Sequence, residues 1–323
     1  MNVFVTGGAG YIGSVCVEEL LNSGFSVTVF DNLTEGHRAA VDPRASMIVG
    51  DLSDRVAVLA ALGLAKAEAV IHFAASSLVG ESMKNPTKYF RNNVANSINL
   101  LDACVESSIR KFIFSSTAAV YGTPDRKPID EALPKNPVNP YGESKLMIER
   151  MLAWYRQLHG MEYAVFRYFN AAGASERFGE HHRVETHLIP NILKVALGQR
   201  ASVEIFGTDY STPDGTCVRD FIHIADLAQA HILALQPGRQ GYFNLGNGTG
   251  FSVRQVIHSC QRISGQPIRV IEQPRRAGDP PELVAASDMA SCQLGWKPRY
   301  TTLDSIVQTA WAWHKRNPDG YPQ

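Results

Sequence analysis

An apolar strand, Val3-Phe4-Val5-Thr6, runs into a glycine-rich turn, Gly7-Gly8-Ala9-Gly10-Tyr11-Ile12-Gly13, and straight on into a helix rich in Val, Cys and Leu. No other stretch restricts the fold as much. Gly7 permits the tight turn, Gly10 lets the main chain approach a pyrophosphate, and Gly13 lets helix and strand pack closely. The helix N-terminus adds free N–H groups and the positive end of its dipole. A second strand, Val27-Thr28-Val29-Phe30, ends at Asp31, eighteen residues past Gly13. A carboxylate there accepts both hydroxyls of a ribose and repels a 2′-phosphate, so the expected cofactor is NAD rather than NADP. A glycine turn between packed elements is the alternative.

Strands expected near Val3, Val27, Met47, Val70, Phe112 and Ala164 alternate with helical stretches. This is the pattern of an α/β, Rossmann-type, doubly wound parallel sheet. At 323 residues the chain exceeds the usual size of a single core. After about Asn170 the pattern becomes irregular, with Gly- and Pro-rich connections from Phe206 to Gly215 and from Pro274 to Pro281. The expected division is a dinucleotide-binding domain over 1–170 and a smaller α+β substrate lobe over 171–323, with some chain crossing back.

A second motif, Tyr141-Gly142-Glu143-Ser144-Lys145, follows Asn139 and Pro140, a good N-cap and a good first helical residue. Its spacing puts Tyr141 and Lys145 on one helical face, one turn apart. A free tyrosine is a poor base at neutral pH, but an adjacent ammonium and a cationic nicotinamide both favour phenolate. Tyr141 then becomes a proton acceptor, whereas without the glycine fingerprint a surface pair is the better reading. Before this helix, Lys111-Phe112-Ile113-Phe114-Ser115-Ser116-Thr117 reads as a buried strand ending in hydroxyl residues. Strand C-termini line the ligand crevice of an open parallel sheet. Thr117 is therefore placed either to bond a reacting oxygen together with Tyr141 or to cap a turn.

Composition excludes other classes. The 31 basic and 31 acidic residues cancel, which gives no footprint for nucleic acid or an anionic membrane. Cys16, Cys104, Cys217, Cys260 and Cys292 are scattered without metal-ligand spacing, so no metal and no disulfide are expected. A first strand at Val3 is expected to leave no room for a signal peptide, and no apolar run approaches the roughly 20 residues of a membrane span. The expected location is the cytoplasm. Leu100, Leu101, Leu146, Met147, Met151 and Leu152 recur at helical spacing in the stretches starting near Pro86 and Tyr141, as a core face or a dimer interface.

Thr6 to Gly13, Phe114 to Gly122 and Pro140 to Lys145 resemble the extended short-chain dehydrogenase/reductase superfamily, and within it the UDP-glucose 4-epimerases. Arg167 to Asn170, Gly207 to Tyr210, Asp214 to His223, Arg275-Arg276-Ala277-Gly278-Asp279 and Ala310 to His314 extend the resemblance over essentially the whole chain. It implies reversible 4-epimerisation of UDP-glucose and UDP-galactose by transient oxidation at C4, with tightly bound NAD, rotation of the 4-keto sugar and hydride return. It further implies Thr117, Tyr141 and Lys145 as catalytic residues and a homodimer through the two helices just named. The implied cofactor contacts are Gly7, Gly10, Tyr11, Ile12, Gly13, Asp31, Asn32, Asp51, Leu52, Phe73, Ala74, Asn92, Tyr141, Lys145 and Tyr168. Those to the UDP-sugar are Thr117, Asn170, Leu188, Phe206, Arg219, Arg276, Asp279 and Leu283.

Two positions depart from the family pattern. Ser77 stands where some members carry a lysine near the pyrophosphate. Leu283 stands where strict hexose epimerases carry a bulky tyrosine, which leaves room for a 2-acetamido group and points to UDP-GlcNAc/UDP-GalNAc exchange. Ala118 and Ala119 replace the Asp-Glu pair that a 4,6-dehydratase needs, which argues against dehydration. A 4-epimerase of UDP-pentose or UDP-uronate is the alternative, followed by a non-catalytic NAD-binding sensor.

Overall fold

Short apolar strands followed by amphipathic helices wind the N-terminal half into one parallel sheet. The computed structural model describes residues 1–276 and 279–322; Ala277 and Gly278, inside one of the runs quoted above, lie outside the described residues. Strands β1 (Asn2–Thr6), β2 (Ser26–Asp31), β3 (Ser46–Val49), β4 (Ala69–His72), β5 (Lys111–Thr117) and β6 (Glu162–Tyr168) alternate with helical segments. These are α1 (Tyr11–Asn22), α2 (Arg55–Ala65), the short α3 (Val79–Ser82) and α4 (Pro86–Tyr89), α5 (Asn96–Glu106) and α6 (Pro140–His159). Beyond them come β7 (Asn170–Ala172), α7 (Leu188–Ala196), β8 (Val203–Phe206), β9 (Val218–His223), α8 (Ile224–Ala234) and β10 (Gly241–Leu245). The chain ends with β11 (Gly250–Ser252), α9 (Val253–Ser264), β12 (Val270–Gln273), β13 (Glu282–Leu283) and α10 (Leu303–Arg316).

The main sheet is seven-stranded in the order β10-β6-β5-β4-β1-β2-β3, with every pairing parallel. The order reverses between β1 and β4, and the carboxyl ends of strands at such a switch point form the ligand crevice of this architecture. On one face Val15, Val17 and Leu20 of α1 meet Leu227, Ala228 and Ala234 of α8. On the other, Leu62, Leu100, Leu101 and Leu152 cover Phe4, Val70 and Phe112. Thus α8 and β10, from beyond residue 170, complete the first layer system. The β10 segment is hard to read in sequence because it is five residues long and carries a buried Asn244.

The second body is built on β9, which pairs with β11, β13 and β7. A separate pair, β8 with β12, packs with α7, α9 and α10 through Ile192, Ile205, Val256 and Ile306. Of the six apolar helix residues singled out above, Leu100, Leu101, Leu146 and Leu152 are at most 5% exposed and belong to the core. Of the same six, Met147 is exposed, and with it Trp154 and Leu158 on α6 and Ile98 on α5 point outward. No helix among the described residues is long and apolar enough to cross a membrane.

Gly7 has φ +74°, and a Cβ there would stand 2.5 Å from the Ala74 backbone nitrogen. Gly7→Ala is therefore expected to destabilise the fold by at least about 1–2 kcal/mol from the left-handed backbone alone, with the clash added. Thermal unfolding would measure this, and an unchanged midpoint would contradict the expectation.

Candidate active site

The crevice begins where β1 ends. Thr6 O accepts from Phe73 N at 2.9 Å and Ala74 N at 3.2 Å, so the Gly turn and the Phe73-Ala74 segment lie side by side at the switch point. His72 fastens the same two strands. Its Nδ1 lies 2.7 Å from Thr6 Oγ1 and its Nε2 lies 3.0 Å from Ser97 Oγ. Burial first and the Lys145 charge second push its pKa down to about 3, so the ring is neutral.

Whether this turn fits a dinucleotide is answered by what it leaves open. A Cβ on Gly13 would strike Gly7 O at 2.2 Å, so the protein itself demands that glycine. A Cβ on Gly10 would meet nothing nearer than Gly7 O at 3.4 Å, so the space above Gly10 is not filled by the chain. Helix α1 has no side-chain N-cap and no acid in its first turn, whereas α2, α6, α9 and α10 are capped by Asp54, Asn139, Ser252 and Thr302. Uncapped amides at the positive end of a helix dipole suit an anion such as a pyrophosphate. Asp31 is buried at the end of β2, where its Oδ2 accepts from Ala9 N and its Oδ1 from Leu33 N. Each oxygen keeps acceptor capacity for a ribose hydroxyl. Next to it, Asn32 Nδ2 donates to Asp51 Oδ2 at 2.7 Å, which holds that carboxylate below its usual range. Leu52 is buried beside Phe30. These residues meet the demands of NAD.

Two expected cofactor contacts have their hydroxyls engaged by protein. Tyr11 donates to Gly173 O at 2.6 Å, tying α1 to the chain after β7. Tyr168 is 6% exposed, and its hydroxyl lies 2.5 Å from His231 Nε2. The other nitrogen of that ring donates to Leu227 O, so Nε2 is the acceptor and Tyr168 the donor. Neither hydroxyl hydrogen is therefore free for a cofactor, and any contact comes from the hydroxyl oxygen as acceptor, from the ring or from the main chain. Asn92 lies in the wide helical turn Phe90–Ala95 and donates to Ser76 Oγ at 3.1 Å.

Thr117, Tyr141 and Lys145 meet at the end of β5. Asn139 Oδ1 caps α6 by accepting from Gly142 N at 2.8 Å, with Pro140 as first helical residue, so the helix begins as its sequence predicts. Thr117 Oγ1 accepts from Ala119 N at 3.1 Å. The capping role is therefore real, yet the Thr117 hydroxyl hydrogen remains free to donate. It faces Tyr141, whose hydroxyl burial pushes up while the Thr117 hydrogen bond pulls it part of the way back. Lys145 Nζ donates to Ser115 O at 2.8 Å and lies 4.8 Å from the Phe114 ring centroid. Burial brings Lys145 down to about 7, against the pull of Glu149. The expectation that an adjacent ammonium favours phenolate thus meets a countervailing desolvation of both groups. In the chain by itself burial therefore favours the phenol form of Tyr141.

Sequence reasoning missed the buried support behind these residues. Glu149, one turn past Lys145 on α6, receives Arg167 Nη2 at 2.6 Å and Ser116 Oγ at 2.6 Å. Arg167 Nη1 donates to Tyr121 Oη, which donates to Asn244 Oδ1. Asn93 holds Ser76 N and donates to Ser144 Oγ. The i, i+4 spacing of Lys145 and Glu149, and the presence of Tyr121 and Arg167 in two of the runs quoted above, were the signals for this layer.

In the second body the remaining residues fall on the β9 sheet, beside the separate β8–β12 pair and at the start of α7. Asn170 pairs in register with Phe221 and Leu283 with Arg219, so Asn170, Arg219 and Leu283 share the β9 sheet. Leu283 packs with Ala118, Val120 and Tyr121, next in chain to Thr117. Arg219 donates to Pro280 O at 3.0 Å and lies 3.7 Å from Asp279 Oδ1. The Arg276 guanidinium stacks over the Phe206 ring at 3.7 Å, and Leu188 opens α7.

The model of the NAD dependent epimerase/dehydratase family matches residues 3–246. The UDP-glucose 4-epimerase of Halalkalibacterium halodurans is 50% identical over 327 residues, covering 99% of this chain and 98% of its own. A solved UDP-glucose 4-epimerase superposes with a TM-score of 0.97 at 49% identity, covering 99% of each chain. The UDP-glucose 4-epimerase of Brucella ovis, solved in complex with NAD, gives 0.93 at 45% identity, covering 96% of this chain and 97% of its own. By its glycine turn, its Tyr-x-x-x-Lys helix and its likeness over nearly the full length, the chain belongs to the UDP-glucose 4-epimerases of the NAD dependent epimerase/dehydratase family.

Proposed function

We propose that this protein interconverts UDP-glucose and UDP-galactose by inverting C4, with Tyr141 as the group that moves the proton. The observation that carries the reading is the meeting of Thr117, Tyr141 and Lys145 at the carboxyl end of β5, two strands from β1 and its Gly turn. NAD, when bound, supplies reversible two-electron oxidation at the sugar carbon. Gly7, Gly10, Ile12 and Gly13 cradle its pyrophosphate with Phe73 and Ala74 alongside, and Asp31 with Asn32 holds the adenine ribose. Asp51 and Leu52 border the adenine, while Asn92, Tyr168 and the ring of Tyr11 flank the rest. Lys145 holds the nicotinamide ribose and supports the Tyr141 phenolate. Tyr141 Oη takes the proton from the 4-hydroxyl and later returns it, while Thr117 donates to the same sugar oxygen.

A sugar that must offer both faces to Tyr141 cannot itself be gripped, so the binding energy falls on the nucleotide. Arg219, Arg276 and Asn170 suit the diphosphate, Asp279 the ribose, and Phe206 with Leu188 the uracil side. Residues 1–170, with the returning α8 and β10, serve the dinucleotide, and the β9 sheet with its helices serves UDP-sugar. Ile98, Met147, Trp154 and Leu158 support a homodimer through α5 and α6, in the cytoplasm.

The test is to incubate purified protein, without added cofactor, with UDP-galactose and separately with UDP-GalNAc, and to resolve the 4-epimers by chromatography. UDP-glucose should form from UDP-galactose; no turnover even after NAD is added would overturn the reading. Conversion only on adding NAD would mean weak retention, as Ser77 in place of lysine implies. Leu283→Tyr is expected to cut turnover of UDP-GalNAc by about 10-fold or more relative to UDP-galactose, on the scale of a filled side-chain pocket. An unchanged ratio would remove the pocket-wall role of Leu283.

A further inference from the structure

Two Glu-x-His pairs, Glu180-His181-His182 and Glu185-Thr186-His187, recur five residues apart between β7 and α7. The fold closes them on each other: one ligand atom from each of Glu180, His182, Glu185 and His187 lies within 4.8 Å of all the others. His187 Nδ1 is 2.9 Å from Glu180 Oε1 and 3.1 Å from Glu185 Oε1, and His182 Nε2 is 3.2 Å from Glu180 Oε1. The two glutamate side chains are 5% and 3% exposed. Among the described residues the ion pairs these carboxylates make are with histidines, never with Lys or Arg.

We propose that these four residues form a binding site for a divalent transition metal of the zinc class. Tetrahedral ligands about 2.0–2.1 Å from zinc stand roughly 3.3 Å from one another, close to the spacing of the three pairs above. Two imidazoles with two carboxylates suit zinc better than calcium or magnesium, which take oxygen ligands. Four protein ligands close the coordination shell, so the ion is structural and performs no step of the reaction. Cysteine spacing, on which the expectation of no metal rests, is blind to such a ligand set.

Position indicates what the ion would do. The His182 ring stands edge-on to Tyr11 at 6.1 Å, and His187 immediately precedes Leu188, the first residue of α7. An ion here pins the 180–187 segment between the start of α1 and the start of α7. Resting on the assignment of Tyr11 and Leu188 above, it ties the dinucleotide side of the cleft to the nucleotide-sugar side.

The test counts metal and does not depend on turnover, so it stands or falls apart from the epimerase reading. Purified holoenzyme is equilibrated with Zn²⁺, passed over a chelating resin and assayed by plasma mass spectrometry; a parallel sample loaded with Co²⁺ is scanned for tetrahedral d–d absorption. About one equivalent of zinc per chain is expected, with a tetrahedral cobalt spectrum. His182→Gln and His187→Gln should each weaken zinc binding by about 100-fold or more, at least the loss seen for outer-shell partners. Circular dichroism checks that both variants remain folded, and His187, 46% exposed, is the substitution the fold tolerates more easily. Wild type that retains less than about a tenth of an equivalent would overturn the proposal. So would variants that keep wild-type zinc and an unaltered cobalt spectrum, since the metal would then be held elsewhere.

Discussion

Tyr141→Phe is expected to lower kcat for 4-epimerisation by about 10²- to 10⁴-fold, the usual contribution of a positioned acid–base group. The ring should stay in place, because it packs edge-on against Tyr89 with centroids 6.4 Å apart and loses only its oxygen. Folding stability and bound NAD should therefore be close to wild type. The hydroxyl matters because burial holds it protonated while the Thr117 hydrogen bond offsets part of that burial. Steady-state turnover of UDP-galactose, with NAD content read by absorbance, separates the two roles. Turnover within a few-fold of wild type would move the proton to another group, and Thr117 would be the candidate.

Glu149→Ala is expected to cost about 3–5 kcal/mol of folding stability, because it leaves the Arg167 guanidinium buried without its counter-charge. The two side chains are 2% and 3% exposed, and Glu149 accepts both Arg167 Nε at 3.1 Å and Nη2 at 2.6 Å. A cavity of about 520 Å³ borders Glu149, Arg167 and Tyr242, so water can reach the orphaned cation and the cost should fall toward the lower end. Pairing Glu149→Leu with Arg167→Met should recover most of the loss, since a buried ion pair replaced by apolar groups of similar volume is often neutral. Denaturant unfolding of the single and double variants measures both. A single variant within about 1 kcal/mol of wild type would show that the pair is not the brace proposed, given what lone surface pairs contribute.

What could be read from sequence was local. Val3 to Asp31 announces strand, turn, helix, strand and acid in consecutive order, and each is forced by residues next to it: glycines where a Cβ collides, apolar runs where both faces of a parallel strand are buried. Asn139-Pro140 starts α6 for the same reason, since a cap acts on amides within one turn. Tyr141 and Lys145 share a face because the helix repeats every 3.6 residues. By contrast β10, the Glu149–Arg167–Tyr121–Asn244 network and the Glu180–His187 cluster unite residues far apart in chain or folded in irregular loops, where no periodicity carries a signal.

By itself the sequence determined the fold class, the Gly turn from β1 into α1 with Asp31 closing β2, and the placing of Tyr141 and Lys145 on one face of α6, because short-range sterics and helical spacing dictate them. Tertiary structure alone decided that Thr117 caps a turn while keeping its proton, that Tyr168 and Tyr11 have their hydroxyls taken, that burial opposes Tyr141 ionisation, and that Leu283 is placed beside Arg219. Those outcomes depend on desolvation and on contacts between distant segments, which exist only once the chain has closed on itself.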